Sequence, residues 1–415
     1  MTVVVTDHHE VPFEEDENGE RRYILPPADA VVNPKQKDCS YPFPGLCGAA
    51  VAWKLIQTME AKAGIPKEHS FRFLEFVAIA TIGDVMDLQG ENRIFVKAGL
   101  RALHKTQNLG LQELIRVQGI EAENVTPYHI GFVLGPCINA SGRLDTAEHS
   151  LKLLCAKTRE EAAKLAGDLK DLNESRKELT RRVRRKQSSS WKPPRCRTTK
   201  SSSSICRTAT RALPESSQVA CGSTSTNHPS YSPEVRRRQG LRPLDEAYSM
   251  YEELCKCKEL MTKFGGHPMA AGLSLAGEEM IEPFRRALND NSTLTEEDFV
   301  EKVVIDVPMP ITYITKNLIR QLSLLEPFGK GNTKPLFAQK GLTVLNYRIF
   351  GKNRNVVKVQ LADAGGYQMD GVYFGEGEAF AAYVDAHPTL SVAYYPSIDT
   401  WNGCDKLQIN IQSYF

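Results

Sequence analysis

Between residues 186 and 233 the chain reads KQSSSWKPPRCRTTKSSSSICRTATRALPESSQVACGSTSTNHPSYSP, a stretch rich in Ser, Thr, Arg and Pro. Its one acidic residue is Glu215, and its apolar residues follow neither a helical nor a strand period. A segment of this composition buries too little apolar surface to offset the entropy of ordering it, so it reads as a disordered basic linker. That constrains the fold more than any other feature. Whatever cores the 415 residues build must form separately on either side of it.

The two sides differ in pattern. Residues 1–40 read as a strand, VVVT, then an acidic loop, FEEDENGERR, then a second short strand, ADAVVNP, closed by Pro34. GLCGAAVAWKLIQTMEAKAG follows with helical spacing, stopped by Gly64 and Pro66. FRFLEFVAIATIGDVMDL is mostly apolar and predicts a buried helix whose C-terminal end delivers Asp84 and Asp87. ENRIFVKAGLRALHK and GLQELIRVQG predict further amphipathic helices. The charged run from Thr146 to Gln187 predicts one long connecting helix. Strands alternating with helices in this order imply an α/β domain with a mainly parallel sheet. Beyond the linker, DEAYSMYEELCKCKELMTKFGGHPMAAGLSL reads as a helix, a glycine turn and an apolar segment. From residue 296 onward, five or six short strands separated by glycine turns predict a small C-terminal β-barrel.

Apolar residues make up 41% and charged residues 25% of the chain, as in ordinary globular proteins. No apolar run reaches the roughly 18 residues of a membrane span, and no secretory signal pattern opens the sequence. The ten cysteines are scattered, with only Cys255 and Cys257 close together, which fits reduced thiols and a cytoplasmic location. The net charge of +2 neither requires nor excludes a nucleic-acid partner, because local patches matter more than the sum.

Chemistry concentrates at a few places. Asp7, His8 and His9 end the first strand, where loops of an open α/β sheet place ligands. Successive strand side chains alternate in direction, so a turn is needed for all three to converge. Carboxylate with imidazole suits an Mn²⁺- or Mg²⁺-assisted phosphoryl-transfer site, with a carboxylate bridging two ions. The plainer alternative is that adjacent polar residues simply end a strand. TIGDVMD favours the first, because Asp84 follows an apolar run towards the same sheet edge, whereas Asp87 reads as a helix-end or surface carboxylate. GPCINASGRLDT reads as a Gly- and Asn-rich loop whose backbone amides and Arg143 guanidinium suit a phosphate. Alternatively it is a loop leading into a helix, capped by Asp145 or Thr146. KFGGHPMAAG places His267 beyond Gly265 and Gly266, which let a backbone approach a ligand; a structural histidine is the rival. LEPFGKGNTKPLF, by chemistry alone, is Gly/Pro punctuation before a strand.

Taken in order, TDHHE, NP…DCSYPFPGLCGAAVAWKL, ATIGDVMDLQGENR, GPCINASGR and FGGHPMAAG resemble the DHH phosphoesterase superfamily. With LEPFGKGNTKPLF and the β-rich tail, the chain resembles the RecJ-type single-strand-specific DNA exonucleases within it. The resemblance covers residues 1–185 and 246–415. DHH alone is a weak signal, but five motifs in family order are a strong one. It implies a two-metal site, Mn²⁺ or Mg²⁺, that hydrolyses phosphodiesters from the 5′ end of single-stranded DNA. Asp7 would bridge the ions, with His8, His9 and Asp84 completing their ligation. Asn139, Ser141, Arg143, Gly265, Gly266 and His267 would hold the entering strand's phosphates. The tail resembles an OB fold, a module that binds strands through a basic groove and stacking aromatics. Tyr347, Arg348, Lys352 and Arg354 are the candidates there, with ordinary rim charges as the alternative. Helicases and single-strand-binding proteins are the implied protein partners.

Two departures from the family pattern carry expectations of their own. The family's Asp-x-Asp strand and the aspartate motif after it, which supply many of the metal ligands, do not precede TDHHE. The metal site is therefore expected to be incomplete and the chain N-terminally truncated. A permitted codon choice for residues 206–217, read two nucleotides later, yields PDCHESLAGIV, which resembles the family's His- and Gly-containing segment. RQGLRPLD, read one nucleotide later, can yield GRASGRSI, which resembles its Ser-Gly-Arg-Ser phosphate loop. Residues 186–245 are thus expected to be frameshifted.

The expected organisation is a partial DHH domain (1–150), a connecting helix (151–185), the altered segment (186–245), a remnant DHH-associated domain (246–295) and an OB-like barrel (296–415). The expected function is a RecJ-type 5′→3′ exonuclease of DNA repair and recombination, impaired in this chain. The enzyme alternative is a DHH phosphodiesterase of oligoribonucleotides or cyclic dinucleotides. The non-enzyme alternatives are a single-stranded-DNA binding module and an inactive gene remnant.

Overall fold

A computed structural model describes residues 1–16, 20–144, 147–190, 248–267, 270–295, 298, 302–400 and 405–415. The chain divides into two compact units. The first is Met1–Glu178 with Leu322–Lys334, and the second is Leu179–Gln321 with Pro335–Phe415.

In the first unit, β1 (Val4–Thr6) pairs in parallel with β4 (Ala30–Val32), in the register Val4↔Ala30 to Thr6↔Val32. The acidic loop between them folds into an antiparallel hairpin, β2 (Phe13–Glu15) with β3 (Arg21–Tyr23). The predicted helices follow as α1 (Gly48–Lys62), α2 (Leu74–Gly83), α3 (Gly90–Leu103) and α4 (Leu109–Val117). Asn108 caps α4: its Oδ1 accepts the Leu111 N–H at 2.9 Å, while its Nδ2 donates to the Leu154 carbonyl at 2.7 Å. Leu103, Leu111, Leu114, Ile130, Leu134, Leu153 and Leu169 form the main core, each no more than 1% exposed.

Two expectations are corrected in this unit. GPCINASGR is not a loop. The short helix α5 (Pro127–His129) continues through a π-helical turn (Ile130–Leu134) into α6 (Gly135–Leu144), which carries the whole motif. The cause is packing, because Ile130, Leu134, Cys137 and Ala140 fall on one face and are all fully buried. The connecting helix is not continuous either. It breaks between α7 (Glu148–Leu154) and α8 (Arg159–Ser190). At the break Thr158 Oγ1 accepts the Glu161 N–H at 3.2 Å and Glu161 Oε2 accepts the Lys157 N–H at 3.1 Å, so TREE starts a new helix. The expected frameshifted segment begins on the last turn of α8 and, from residue 191 to 245, lies outside the described residues.

Glu75, in the first turn of α2, is only 6% exposed. Burial raises its pKa from the ordinary 4.5, and a hydrogen bond with Thr106 opposes the rise only in part. A raised folded-state pKa favours the folded state while the group is protonated, and that contribution is lost as pH climbs through the folded value. Glu75→Gln is therefore expected to stabilise the first unit at neutral pH, with the gain vanishing below 4.5. Denaturant unfolding of both proteins across pH 4–8 checks it, and a gain independent of pH would refute the cause given.

The second unit holds α9 (Met250–Cys255), the hairpin β5 (Lys263–His267) and β6 (Ala270–Ser274), and α10 (Ile281–Asp290). They pack around Leu254, Cys257, Phe284 and Leu288. Here the expected glycine turn is a strand: Gly265 pairs with Gly272, Gly266 with Ala271 and His267 with Ala270. Cross-strand hydrogen bonding, which involves no side chain, accommodates both glycines within the ladder.

The remainder of this unit is β7 (Val307–Pro308), α11 (Lys316–Leu322), β8 (Phe337–Phe350), β9 (Val356–Ala362), β10 (Gln368–Phe374), α12 (Gly377–Ala386), β11 (Thr389–Asp399) and β12 (Lys406–Tyr414). Strands β8, β9, β10, β12 and β11 pair in that order, and β11 pairs back on β8. The result is the expected barrel, closed so that these strands leave no free edge. Val357, Val359 and Leu361 alternate inward along β9. Phe380 of α12 seals one end, stacked on Tyr373 at 5.2 Å and edge-on to Tyr414 at 4.9 Å.

Candidate active site at the end of strand β1

Strands β1 and β4 stop at the same level. The Asp7 N–H donates to the Val32 carbonyl at 3.0 Å, extending the ladder by one residue, so β1 delivers Asp7 where β4 delivers Asn33. Asn33 is 4% exposed and clamps the two ends. Its Nδ2 donates to the His9 carbonyl at 2.9 Å and its Oδ1 accepts the Lys35 N–H at 2.9 Å. This clamp turns the chain after Asp7 and lets adjacent side chains share one region.

Asp7 folds back over that turn. Its Oδ1 accepts the N–H groups of His8 at 2.8 Å and His9 at 3.3 Å, and lies 2.8 Å from His9 Nδ1. Partial burial pushes the carboxyl up, but the His9 ring and the two amides outweigh it and hold the pKa below the ordinary value. His8 points the other way. Its side chain is 11% exposed, with Nε2 3.3 Å from Asp84 Oδ2. The ring lies against the start of α1, where a Cβ on Gly48 would come within 3.3 Å of His8 Cδ2. Burial lowers the His8 pKa, the Asp84 charge resists, and His9 adds to the lowering. The lowering favours the neutral imidazole, the form that binds metals.

Asp84 arrives from the C-terminal end of α2, its N–H donating to the Ala80 carbonyl at 2.9 Å. The chain then turns sharply: Val85 has φ of +55°, a strained conformation for a β-branched residue. The turn sends Asp87 elsewhere, to an ion pair with Lys330 Nζ at 3.1 Å, in keeping with its expected surface role.

The structure thus gathers Asp7, His8, His9 and Asp84. Their chemistry, carboxylate with neutral imidazole, is that of Mn²⁺ or Mg²⁺ ligands. Asp7 Oδ1 accepts within its own turn. Among the described residues no three His, Cys, Asp or Glu side chains are placed to hold a metal.

The other candidates are carried by other elements. Asn139 is exposed on α6. Ser141 is fully buried, its Oγ 2.8 Å from Ser150 Oγ and 3.3 Å from the Ile138 carbonyl, where it joins α6 to α7. The backbone of Arg143 is helical, and its side chain lies outside the described residues. Gly265, Gly266 and His267 belong to β5 in the second unit. On the barrel, Tyr347 donates to Asp385 Oδ1 at 3.0 Å and Arg354 is paired with Glu378, so both have partners within the barrel. Arg348 and Lys352 are exposed, and Lys358 stands opposite Arg348 in the β8–β9 ladder. Sequence reasoning missed Asn33 and Lys358. The Asn-Pro pair that ends β4 was the available sign for the first; nothing local marked the second.

Comparison with known proteins gives the following. A model of the DHH family N-terminal domain matches residues 1–81, and one of the RecJ OB domain matches residues 305–413. The single-stranded-DNA-specific exonuclease RecJ of Bacillus subtilis is 30% identical over 434 residues, covering 99% of this chain and 50% of that protein. The RecJ exonuclease of Haemophilus influenzae is 28% identical over 452 residues, covering 99% and 72%. The crystal structure of RecJ in complex with Mn²⁺ from Thermus thermophilus superposes with a TM-score of 0.73 at 24% identity, covering 100% of this chain and 58% of that one. The chain therefore spans half the length of the Bacillus relative and somewhat more than half of the Thermus structure.

Proposed function

We infer the function from lineage, since the chain is a RecJ-like protein of the DHH family, joining a DHH-family N-terminal domain to a RecJ-type OB barrel. The activity that follows is hydrolysis of single-stranded DNA from its 5′ end, with Mn²⁺ or Mg²⁺, in repair and recombination. The observation that carries it is the closed barrel of β8–β12 on the same chain as the strand ending in Asp7, His8 and His9. A phosphodiesterase of dinucleotides needs no strand-binding barrel, so the substrate is the long strand. Arg348, Lys352 and Lys358 supply exposed positive charge for its phosphates, which a groove of this kind tracks without reading sequence. Helicases and single-strand-binding proteins are the partners such an activity would meet. Among the described residues no helix is long and apolar enough to cross a membrane.

Catalysis by this chain is a separate matter. The metal requirement rests on RecJ structures holding Mn²⁺ or Mg²⁺. When bound, the ions supply hydroxide and stabilise the leaving oxygen. In this chain Asp7 orders its own turn, and His8 Nε2 rests 3.3 Å from Asp84 Oδ2. Among the described residues these donors do not converge as a metal-holding set. The chain is accordingly a strand-binding protein of exonuclease descent with impaired hydrolysis.

A 5′-labelled oligonucleotide tests this with Mn²⁺ and with a chelator. The expected outcome is binding that weakens steeply with salt, is indifferent to chelator, and releases little or no mononucleotide. Arg348→Ala with Lys358→Ala should reduce the log–log salt slope by about 2. Mn²⁺-dependent release abolished by Asp84→Asn would overturn the impairment, and preference for dinucleotides would overturn the substrate.

A further inference from the structure

We propose that segment 322–334 is a latch that positions Asp84, with Arg93 and Asn332 as its positioning residues. This rests on Asp84 being a site carboxylate, as inferred above. The sequence presents the segment as punctuation before β8, yet it folds as part of the first unit.

The turn at 84–88 needs holding. Val85 is strained, and on the helix side the turn is secured by the Met86 N–H donating to the Thr81 carbonyl at 3.0 Å. On the other side segment 322–334 supplies the hold, largely through main-chain atoms. The Leu88 N–H donates to the Lys330 carbonyl at 2.7 Å, and Gln89 Nε2 donates to the Gly331 carbonyl at 2.7 Å. Arg93 Nη2, from the first turn of α3, reaches the carbonyls of Leu324, Leu325 and Glu326 at 3.2, 3.1 and 3.2 Å. Asn332 gives the segment its shape: its Nδ2 donates to the Leu325 and Pro327 carbonyls, each at 2.9 Å, and its N–H and carbonyl exchange bonds with Gly329.

Close fit adds to the hydrogen bonds. Gly331 has φ of +72°, and a Cβ there would stand 3.0 Å from Asp87 Cβ, so glycine is required twice over. Asn92 Nδ2 closes the arrangement from within, bonding the Asp87 carbonyl at 3.1 Å and the Gly45 carbonyl at 2.7 Å. A loop resting on a surface would make scattered side-chain contacts. These contacts instead set the backbone position of the residues that follow Asp84, and with it the 3.3 Å approach of Asp84 to His8.

Residue-resolved amide hydrogen exchange on the full chain tests the latch, with Arg93→Ala, Arg93→Lys and Gly331→Ala. In Arg93→Ala the amides of Met86 and Leu88 should exchange at least about tenfold faster while those in the core of α4 keep their rates, as local opening requires. The His8 ring resonances should shift in the same variant, and Arg93→Lys should restore much of both. Gly331→Ala should reproduce the Arg93→Ala pattern, and it serves alone if the latter fails to fold. Faster exchange at Leu88 with Met86 unchanged would mean that the segment docks without holding the turn. Uniform acceleration throughout the unit would reduce it to a general structural element. Either result overturns the proposal. The oligonucleotide assay separates the two levels, because Mn²⁺-dependent release that Asp84→Asn leaves intact would remove Asp84 from the site without altering the exchange result.

Discussion

Gly99→Ala is expected to lower the stability of the first unit by about 3 kcal/mol, the upper range for forcing atoms into a packed interior. Helices α2 and α3 cross at this residue. A Cβ there would come 2.3 Å from the Leu74 carbonyl oxygen and 2.4 Å from Ala78 Cβ, and the first of these is backbone, which cannot rotate away. One added methyl group must therefore push the helices apart. The separation acts on function as well as stability, because α2 leads directly into Asp84 and the first turn of α3 carries Asn92 and Arg93, which brace the turn between them. Gly167→Ala supplies the opposite case in the same unit. A Cβ at Gly167, within α8, meets nothing within 4 Å, so helix propensity alone acts and predicts a gain of about 0.5–1 kcal/mol. Denaturant unfolding followed by helical circular dichroism distinguishes them. Equal effects of the two substitutions would refute the packing account of Gly99.

Tyr394→Ala is expected to cost the barrel about 3–5 kcal/mol, and Tyr394→Phe about 1–2 kcal/mol. Tyr394, on β11, is fully buried, with its ring 6.2 Å from that of Phe337 on the neighbouring β8. Its hydroxyl donates to the Met309 carbonyl at 2.6 Å, tying the chain beyond β7 to the barrel wall. Burial pushes the phenol far above its ordinary value, so it keeps the proton it donates. Phenylalanine retains the ring but removes the bond to a part-buried carbonyl, whereas alanine also opens a cavity. Hydrogen exchange at barrel amides such as those of Val359 and Ile409 reads each loss in the second unit. Tyr394→Ala should also abolish single-stranded-DNA binding, and retention of binding with lost protection would place the strand site elsewhere.

Much of this molecule was legible in the amino-acid sequence. Short-range patterns were enough for β1, β4 and helices α1 to α4, because a helix or strand with one buried face must repeat its apolar residues at the period of its own backbone. The alternating strands of the barrel followed for the same reason, and the order of TDHHE, ATIGDVMD, GPCINASGR, FGGH and LEPFGKGN carried the family. The cluster of Asp7, His8 and Asp84 was also foreseeable, since both an open strand end and a buried helix end present their last residues at an edge of the fold.

Other features were decided only by tertiary structure. Small and polar residues made GPCINASGR look like a loop, but it became a helix because burying Ile130, Leu134, Cys137 and Ala140 on one face outweighed their local preference. The glycines of KFGGH became strand residues because a partner, β6, accepted them into a ladder. LEPFGKGN, which locally is nothing but a turn, gained its meaning from Arg93 and Leu88, more than 230 residues away in the chain. Local sequence specifies the conformations a segment can adopt at low cost. Which one it keeps, and which side chain it then holds in place, depends on atoms brought beside it by the rest of the fold.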